Sequence, residues 1–130
     1  MEKNKTIRAV SLRNQLVIAD QCNVADSFWV RLKGLMGVKK LEEGTGLFFP
    51  KCSSVHTWFM SIPIDLIFLG NEEESRSTDG GVYSVVHVVE QARPWSLLPF
   101  GSLRAKHVLE VPAGTVKRSQ VQRGDLLCIK

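Results

Sequence analysis

The sequence predicts a mainly β domain, a compact antiparallel β sandwich or barrel of about seven or eight short strands with one or two short helices. Two observations lead to this prediction: β-branched and aromatic runs recur at short intervals, and turn residues separate them. No alternation of strands and helices typical of a parallel sheet is present. The 130 residues fit a single domain over 1–130, which is α+β at its margin because of the helices.

The N-terminal third contains a predicted hairpin and a predicted helix. Residues 6–12 and 15–20 are short apolar-rich runs split by "RN", which predicts two paired strands. A helix is predicted over about residues 26–36, since Asp26 can cap its N-terminus and Gly37 can end it. Apolar residues between these two positions recur at helical spacing.

The remaining strands follow as short runs bounded by turns. "NEEESRSTDGG" predicts an acidic hairpin connection, and "ARPWSLLPFGS" predicts a loop with two prolines. A second short helix is predicted over about 114–121. The predicted strands are "TGLFFPK", "VHTWFM", "IDLIFLG", "VYSVVHVVE", which is apolar on both faces and so placed centrally, "KHVLEVP" and "LLCIK".

Composition and charge describe an ordinary globular protein. Hydrophobic residues make up 44% and charged residues 23%, and the formal net charge is +4. The basic residues are scattered, whereas phosphate-backbone binding needs clustered lysine and arginine. Weak nucleic-acid binding is therefore a third hypothesis that rests on net charge alone.

The cysteines and the N-terminus predict a cytoplasmic protein. Cys22, Cys52 and Cys128 are odd in number and far apart, which favours reduced thiols. "MEKNKTIRAVSLRNQ" has lysines but no apolar run behind them, unlike a signal peptide. No window of about 18 apolar residues could span a membrane, so no membrane partner is expected.

The stretch "KCSSVHTWFM" places Cys52, His56 and Met60 four residues apart, a ligand set known from blue-copper loops. In an extended strand four residues span roughly 13 Å, whereas ligand atoms lie about 2 Å from a metal. The second histidine of such a site would have to come from His87 or His107 downstream. No cofactor is predicted, but a metal or cysteine-dependent enzyme site using Cys52 and His56 is the alternative hypothesis.

Two carboxylates and one tryptophan stand out in apolar surroundings. Asp65 and Glu110 are flanked by apolar residues, and such carboxylates are seldom buried without a partner. Arg31 on the predicted helix is a candidate partner. One interpretation is that these charged groups line a polar pocket. The other is that they form structural ion pairs or that the carboxylates lie at exposed strand edges. Trp95 on its loop is either a ligand platform or a lid over the core.

Several blocks in a fixed order resemble the domain-of-unknown-function 192 family of prokaryotic proteins over about residues 24–129. They are "GLMG" after Arg31, "VHTWFMSIPIDLIFL", "RPW", "VLEVPAG" and "RGDLL", and Cys52 matches one subgroup. The resemblance implies a compact β-rich domain with a short helix and implies no reaction. The matching positions are Arg31, Gly34, Leu35, Met36, His56, Thr57, Phe59, Met60, Pro63, Asp65, Pro94, Trp95, Glu110, Gly114, Gly124 and Asp125.

This chain departs from the family pattern in two respects. Many relatives carry an N-terminal signal or membrane anchor, and the "NEEESRSTDGG" tip is longer than the usual tight turn. The sequence therefore predicts an uncharacterised, non-catalytic domain that binds a small ligand or a protein partner in a pocket near His56, Asp65 and Trp95. The candidate ligand-binding residues are Arg31, His56, Thr57, Asp65, Trp95 and Glu110.

Overall fold

The structure is a computed structural model that describes residues 6–24, 42–55, 62–73, 80–94 and 100–130. These residues contain nine strands and one short helix. They are β1 (Thr6–Ser11), β2 (Val17–Val24), β3 (Thr45–Phe49), β4 (Ser54–Val55), β5 (Ile64–Glu73), β6 (Gly81–Ala92), β7 (Phe100–Gly101), β8 (His107–Pro112), α1 (Thr115–Ser119) and β9 (Leu126–Ile129).

Seven strands close into a barrel in the order β1-β2-β3-β8-β5-β6-β9, and β9 pairs back with β1. The prediction of a mainly β barrel is confirmed. All barrel pairs are antiparallel except β2 with β3, which are parallel. A parallel pair needs a crossover of a dozen or more residues. The connection between Val24 and Thr45 has that length and contains the predicted helix 26–36, which lies outside the described residues.

Side chains alternate between the two faces of the barrel wall and form two separate cores. The inner core draws residues from all seven barrel strands, and Val116 and Val121 from the α1 region close it. The outer core covers one side of the wall, where the two-stranded β4–β7 sheet packs on it. Its main buried members are Leu47, Phe49, Val55, Ile64, Leu66, Phe68 and Val108.

Helix α1 is fastened to one end of the barrel by the turn between β1 and β2. The Asn14 amide donates to the carbonyl oxygen of Ser119, and Arg13 donates to the carbonyl oxygen of Gln120. The Arg118 guanidinium donates to the carbonyl oxygens of β2 at Val17 and Ile18. The helix is shorter than the predicted range 114–121 because Gln120 adopts a left-handed conformation, with φ at 59°.

Most predicted strands are present, one predicted strand lies mostly outside the described residues, and one observed strand was not predicted. The β1–β2 and β5–β6 hairpins are confirmed. Within "VHTWFM" only Val55 is described, as the last residue of β4, and residues 56–61 lie outside the described part. The loop "ARPWSLLPFGS" includes a strand, β7, that sequence reasoning missed. In the part of the chain that the structure describes, no helix is long and apolar enough to cross a membrane.

Candidate functional site

The structure describes three of the residues that the sequence singled out for a site. Asp65 and Glu110 lie on the barrel strands β5 and β8, and Cys52 follows β3. The other candidates lie outside the described residues: Arg31, His56, Thr57, Met60 and Trp95. Their part in a site therefore stays a prediction.

Asp65 is fully buried, and both oxygens of its carboxylate accept hydrogen bonds from backbone amides. Oδ1 accepts from the N–H of Gln91 at 2.8 Å, and Oδ2 accepts from the N–H groups of Gly114 at 3.1 Å and Val116 at 2.9 Å. Gly114 and Val116 belong to the first turn of α1, whose N–H groups have no partner within the helix. Asp65 thus ties β6 and α1 to the start of β5.

Gln91 marks an irregularity in β6 that brings its amide to Asp65. The register between β5 and β6 shifts between the pairs Ile64–Ala92 and Leu66–Val89, so β6 holds one residue more than β5 there. Gln91 has a left-handed φ of 53°, as expected at a β-bulge. Its N–H is taken up by the carboxylate of Asp65.

On the neighbouring strand β8, the carboxyl group of Glu110 lies among apolar side chains, in contrast to that of Asp65. It is 6% exposed and lies opposite Leu47 on one side and Leu66 on the other. Burial raises the pKa of Glu110 to about 8, because an apolar environment disfavours the charged form. No hydrogen bond or ion pair joins its carboxyl group to another described residue.

The structure does not bring the two carboxyl groups together. In the β5–β8 pairing Asp65 stands opposite Val111, and Glu110 stands opposite Leu66. Val111 belongs to the inner core and Leu66 to the outer core. Because neighbouring residues of a strand project to opposite faces, Asp65 faces the barrel interior at the α1 end, whereas Glu110 faces the outer core.

The two-stranded β4–β7 sheet lies on the same outer face as Glu110. Val55 pairs with Phe100, and both pack into the outer core. The segment with His56 and Thr57 continues the chain directly after Val55, and the segment with Trp95 ends directly before Phe100. Trp95 also directly follows Pro94, just after β6 ends at Ala92, which pairs with Ile64 beside Asp65.

Cys52 is half-buried against the outer core, and its thiol is held locally. Sγ donates to the carbonyl oxygen of Ser54 at 3.0 Å, and the backbone N–H donates to the carbonyl oxygen of Lys106 at 2.8 Å. Among the residues with described placement, no three His, Cys, Asp or Glu side chains come together as a metal site. The proposed ligands His56 and Met60 are not among those residues.

The other two histidines pack on opposite faces of the wall. The His87 ring lies 5.6 Å from the ring of Phe68 in the outer core. The His107 ring lies 5.8 Å from Phe48 and 5.0 Å from Tyr83, on the inner side.

Sequence reasoning missed a cleft at the barrel end opposite α1 that contains two lysines. Lys51, Lys106 and His107 line a cleft of about 380 Å³ where β3 ends and β8 begins. The left-handed φ of 56° at Lys51, directly after Pro50, marks the turn. No signal in the sequence indicates that Lys51 and Lys106 come together, since the pairing of β3 with β8 is non-local.

Comparisons with known proteins agree on one family. The model of the domain-of-unknown-function 192 family, described as "Uncharacterized ACR", matches residues 10–129. A UPF0127 protein of Thermococcus sibiricus is 30% identical over 107 residues, which cover 78% of this chain and 61% of the relative. A UPF0127 protein of Thermococcus kodakarensis is 29% identical over 108 residues, which cover 80% and 61%. The match therefore spans less than two thirds of each relative's length.

Two solved structures share the fold. A protein of unknown function from Novosphingobium aromaticivorans superposes with a TM-score of 0.74 at 20% identity, covering 98% of this chain and 84% of that chain. A protein from Sinorhizobium meliloti, described as a candidate transcription regulator, superposes with a TM-score of 0.73 at 24% identity, covering 98% and 95%. At these identities the likeness shows the fold alone.

Proposed function

The chain belongs to the domain-of-unknown-function 192 family, for which no activity is established, and we propose that it is a non-catalytic domain that binds a small ligand on the outer face of its barrel. The observation that carries this proposal is Glu110. It is a buried carboxyl group on that face with no hydrogen-bond partner among the described residues.

A carboxyl group in this position is suited to recognition. Burial disfavours the charged form of Glu110, so its ionisation lowers the stability of the free protein. In its protonated form it offers one hydrogen-bond donor and acceptor capacity on both oxygens. A ligand that supplies the matching groups would form hydrogen bonds with it. Groups with a strongly shifted pKa are concentrated at functional sites.

The surroundings of Glu110 indicate the class of ligand. Leu47 and Leu66 flank it, and Cys52 and Phe100 pack into the same core. The ligand we propose is therefore a small, mainly apolar molecule that carries a carbonyl or similar polar group. A protein partner that inserts such a side chain is the second form of the same proposal.

We assign the walls of the proposed pocket to candidates that lie outside the described residues, namely Arg31, His56, Thr57 and Trp95. Asp65 has a supporting role in this proposal, because its carboxylate is occupied by backbone amides on the inner side of the same strand pair. It fixes the start of β5, the strand that lies beside Glu110.

The test is a fragment screen by NMR in which ligands are retained if they shift the backbone amides of Leu47 and Leu66. Glu110→Leu should weaken the retained ligands about tenfold or more, roughly 1.4 kcal/mol, while raising thermal stability. Glu90→Leu on β6, an exposed carboxylate, is the matched control and should bind as wild type. Unchanged affinity in Glu110→Leu, or the absence of any such ligand, would contradict the proposal.

Trp95 allows a second readout. If it lies on the pocket wall, binding of a retained ligand changes tryptophan fluorescence, and Trp95→Phe removes that change. A ligand that alters the fluorescence of Trp95→Phe as strongly as that of wild type would exclude Trp95 from the site.

The alternative is a metal or cysteine-dependent site at Cys52 and His56. Elemental analysis of the purified protein, followed by Cu(I) and Zn(II) titration of wild type and His56→Ala, decides between them. Stoichiometric metal that depends on His56 would replace the ligand proposal with a metal site. Metal binding that is indifferent to His56 would leave Cys52 as a packing residue.

Nucleic-acid binding is the third candidate, and it rests on the net charge of +4. The Sinorhizobium meliloti protein of the same fold is described as a candidate transcription regulator. If this chain shared that role, it would bind duplex DNA with an affinity that falls steeply as salt rises. We expect no saturable binding even at low salt, because the basic residues are scattered.

A further inference from the structure

The cleft at the barrel end opposite α1 lies where β3 ends and β8 begins, and two of its lining residues, Cys52 and Ala105, also pack into the outer core. Its main lining residues are Lys51, Cys52, Ser53, Asn71, Lys106 and His107, and its volume is about 380 Å³. His107 and Glu110 are both on β8 but three positions apart, so they project to opposite faces of the strand. The cleft volume is in the range typical of small-molecule sites.

Among the described residues, the lining of the cleft includes two lysines and no carboxylate. Lys51 and Lys106 contribute two positive charges from separate loops, and Ser53 and Asn71 add neutral hydrogen-bonding side chains. Glu72 is the acidic residue that acts on His107 electrostatically, and it follows Asn71 on β5 without lining the cleft. A concave surface of this charge attracts anions.

Backbone hydrogen bonds join the two loops that carry the lysines. The N–H of Cys52 donates to the carbonyl oxygen of Lys106 at 2.8 Å, and the N–H of Lys106 donates to the carbonyl oxygen of Leu69 at 2.7 Å. The two loops are therefore fastened to each other and to β5.

His107 is held in one orientation at the edge of the cleft. Its Nδ1 accepts a hydrogen bond from the backbone N–H of Lys51 at 3.1 Å, which the left-handed conformation of Lys51 makes possible. The ring packs between Phe48 and Tyr83. Because Nδ1 accepts, the proton of the neutral ring lies on Nε2, and no described residue accepts a hydrogen bond from it.

We propose that this cleft binds the phosphate group of a small molecule, with Lys51 and Lys106 as the counter-charges and His107 Nε2 as a hydrogen-bond donor. Two lysines match the charge of a phosphate near −2 at neutral pH, and lysine serves as a point charge for phosphate in proteins. The cleft extends beyond the space that a phosphate ion needs, which leaves room for a small organic group attached to it.

The experiment is isothermal titration at constant ionic strength with inorganic phosphate and with phenyl phosphate. We compare wild type with the double variant Lys51→Gln/Lys106→Gln. The matched control is Lys117→Gln/Lys130→Gln, which removes the same charge at exposed positions outside the cleft. Thermal melting confirms that each variant is folded, and both pairs are surface lysines.

We expect saturable binding to wild type, a loss of about tenfold or more in the cleft variant, and unchanged affinity in the control. Tighter binding of phenyl phosphate would identify a phosphate ester as the ligand class, and equal binding would identify the free ion. The proposal is overturned if neither probe binds saturably, if the cleft variant binds as wild type, or if both double variants weaken binding equally.

Discussion

Glu110 has a pKa that burial shifts far from its ordinary value. Its pKa rises from 4.5 to about 8 because burial in the outer core disfavours the carboxylate. The folded protein therefore retains a proton that the unfolded chain releases as pH rises. The contribution of this group to stability is fully present below pH 4.5 and is lost as pH rises through about 8.

Glu110→Gln should remove this dependence, since glutamine has the same shape and stays neutral. At about pH 9 we expect the variant to be more stable than wild type by on the order of a few kcal/mol, and at about pH 4 the two should be similar. Urea unfolding across this pH range measures the difference. A constant difference at all pH values would show that Glu110 does not titrate in the fold as described.

Asp65 is the contrasting carboxylate, since three backbone N–H groups depend on it. Asp65→Ala leaves these donors unsatisfied in a buried place, at about 1–3 kcal/mol for each donor. We expect a loss of several kcal/mol in unfolding free energy by urea denaturation, and a smaller loss for Asp65→Asn, which keeps one acceptor oxygen. Asp20→Ala at an exposed position of β2 should change stability little.

At the scale of elements, the β1–β2 turn and the turn before β9 hold α1 from two sides. The Arg13 guanidinium donates to Asp125, Nε to Oδ1 at 2.8 Å and Nη2 to Oδ2 at 3.1 Å, and the N–H of Gln122 donates to Oδ2 at 3.0 Å. The hydrogen bond from Arg13 is the main cause that lowers the pKa of Asp125 below its ordinary 3.8. This bidentate pair joins residues 112 positions apart.

A double-mutant cycle with Arg13→Met and Asp125→Asn tests the pair. Because the pKa of Asp125 is lowered, the pair stabilises the fold above pH 3.8, and the gain is lost as pH falls through the folded value. We expect a favourable coupling at about pH 7 that vanishes in strong acid. The exposed pair Arg118–Glu43 is the control and should show little coupling, because solvent screens it.

Local patterns in the sequence predicted where the strands lie along the chain better than they predicted which strands pair with each other. The runs "IDLIFLG" and "VYSVVHVVE" correspond to β5 and β6 because β-branched and apolar residues favour the pleated wall. The two-residue strand β7 has no such pattern, and its pairing with β4 depends on tertiary context. The parallel β2–β3 pair was missed for the same reason, since its register is set by residues far apart in the chain.

The sequence drew attention to Asp65 and Glu110 because each carboxylate stands in an apolar run, and the structure buries both, which excludes exposed strand edges. Their part in a ligand site stays a prediction. Whether such a group meets backbone amides or apolar side chains depends on which face of the wall it occupies, and on a bulge at Gln91 that the sequence does not reveal. The Lys51–Lys106 cleft depends on loop contacts alone and left no pattern to detect.

The barrel wall separates the two hydrophobic cores of the molecule. The inner core, closed by α1, contains the contacts that join all seven barrel strands. The outer core is a partial layer under β4 and β7 and holds the buried carboxyl group of Glu110. Asp65, Arg13 and Arg118 fasten α1 to the barrel, and none of them lines the Lys51–Lys106 cleft.

Cys22 reports on the opening of the inner core. It is fully buried within the barrel, and burial raises the pKa of its thiol to about 12, so the reactive thiolate is absent at neutral pH. Cys52 and Cys128 are half-buried and lie outside the inner core. The thiol of Cys22 is therefore better protected than the thiols of Cys52 and Cys128.

A thiol reagent at about neutral pH should modify Cys52 and Cys128 first and leave Cys22 unmodified until the barrel unfolds. Peptide mass spectrometry follows each site, and the rate at Cys22 should rise with urea in parallel with global unfolding. Cys22→Ala is the control that identifies the slow site. Labelling of Cys22 as fast as Cys128 in native buffer would show that the inner core opens without global unfolding, because the buried thiol of Cys22 is out of the reagent's reach in the closed barrel.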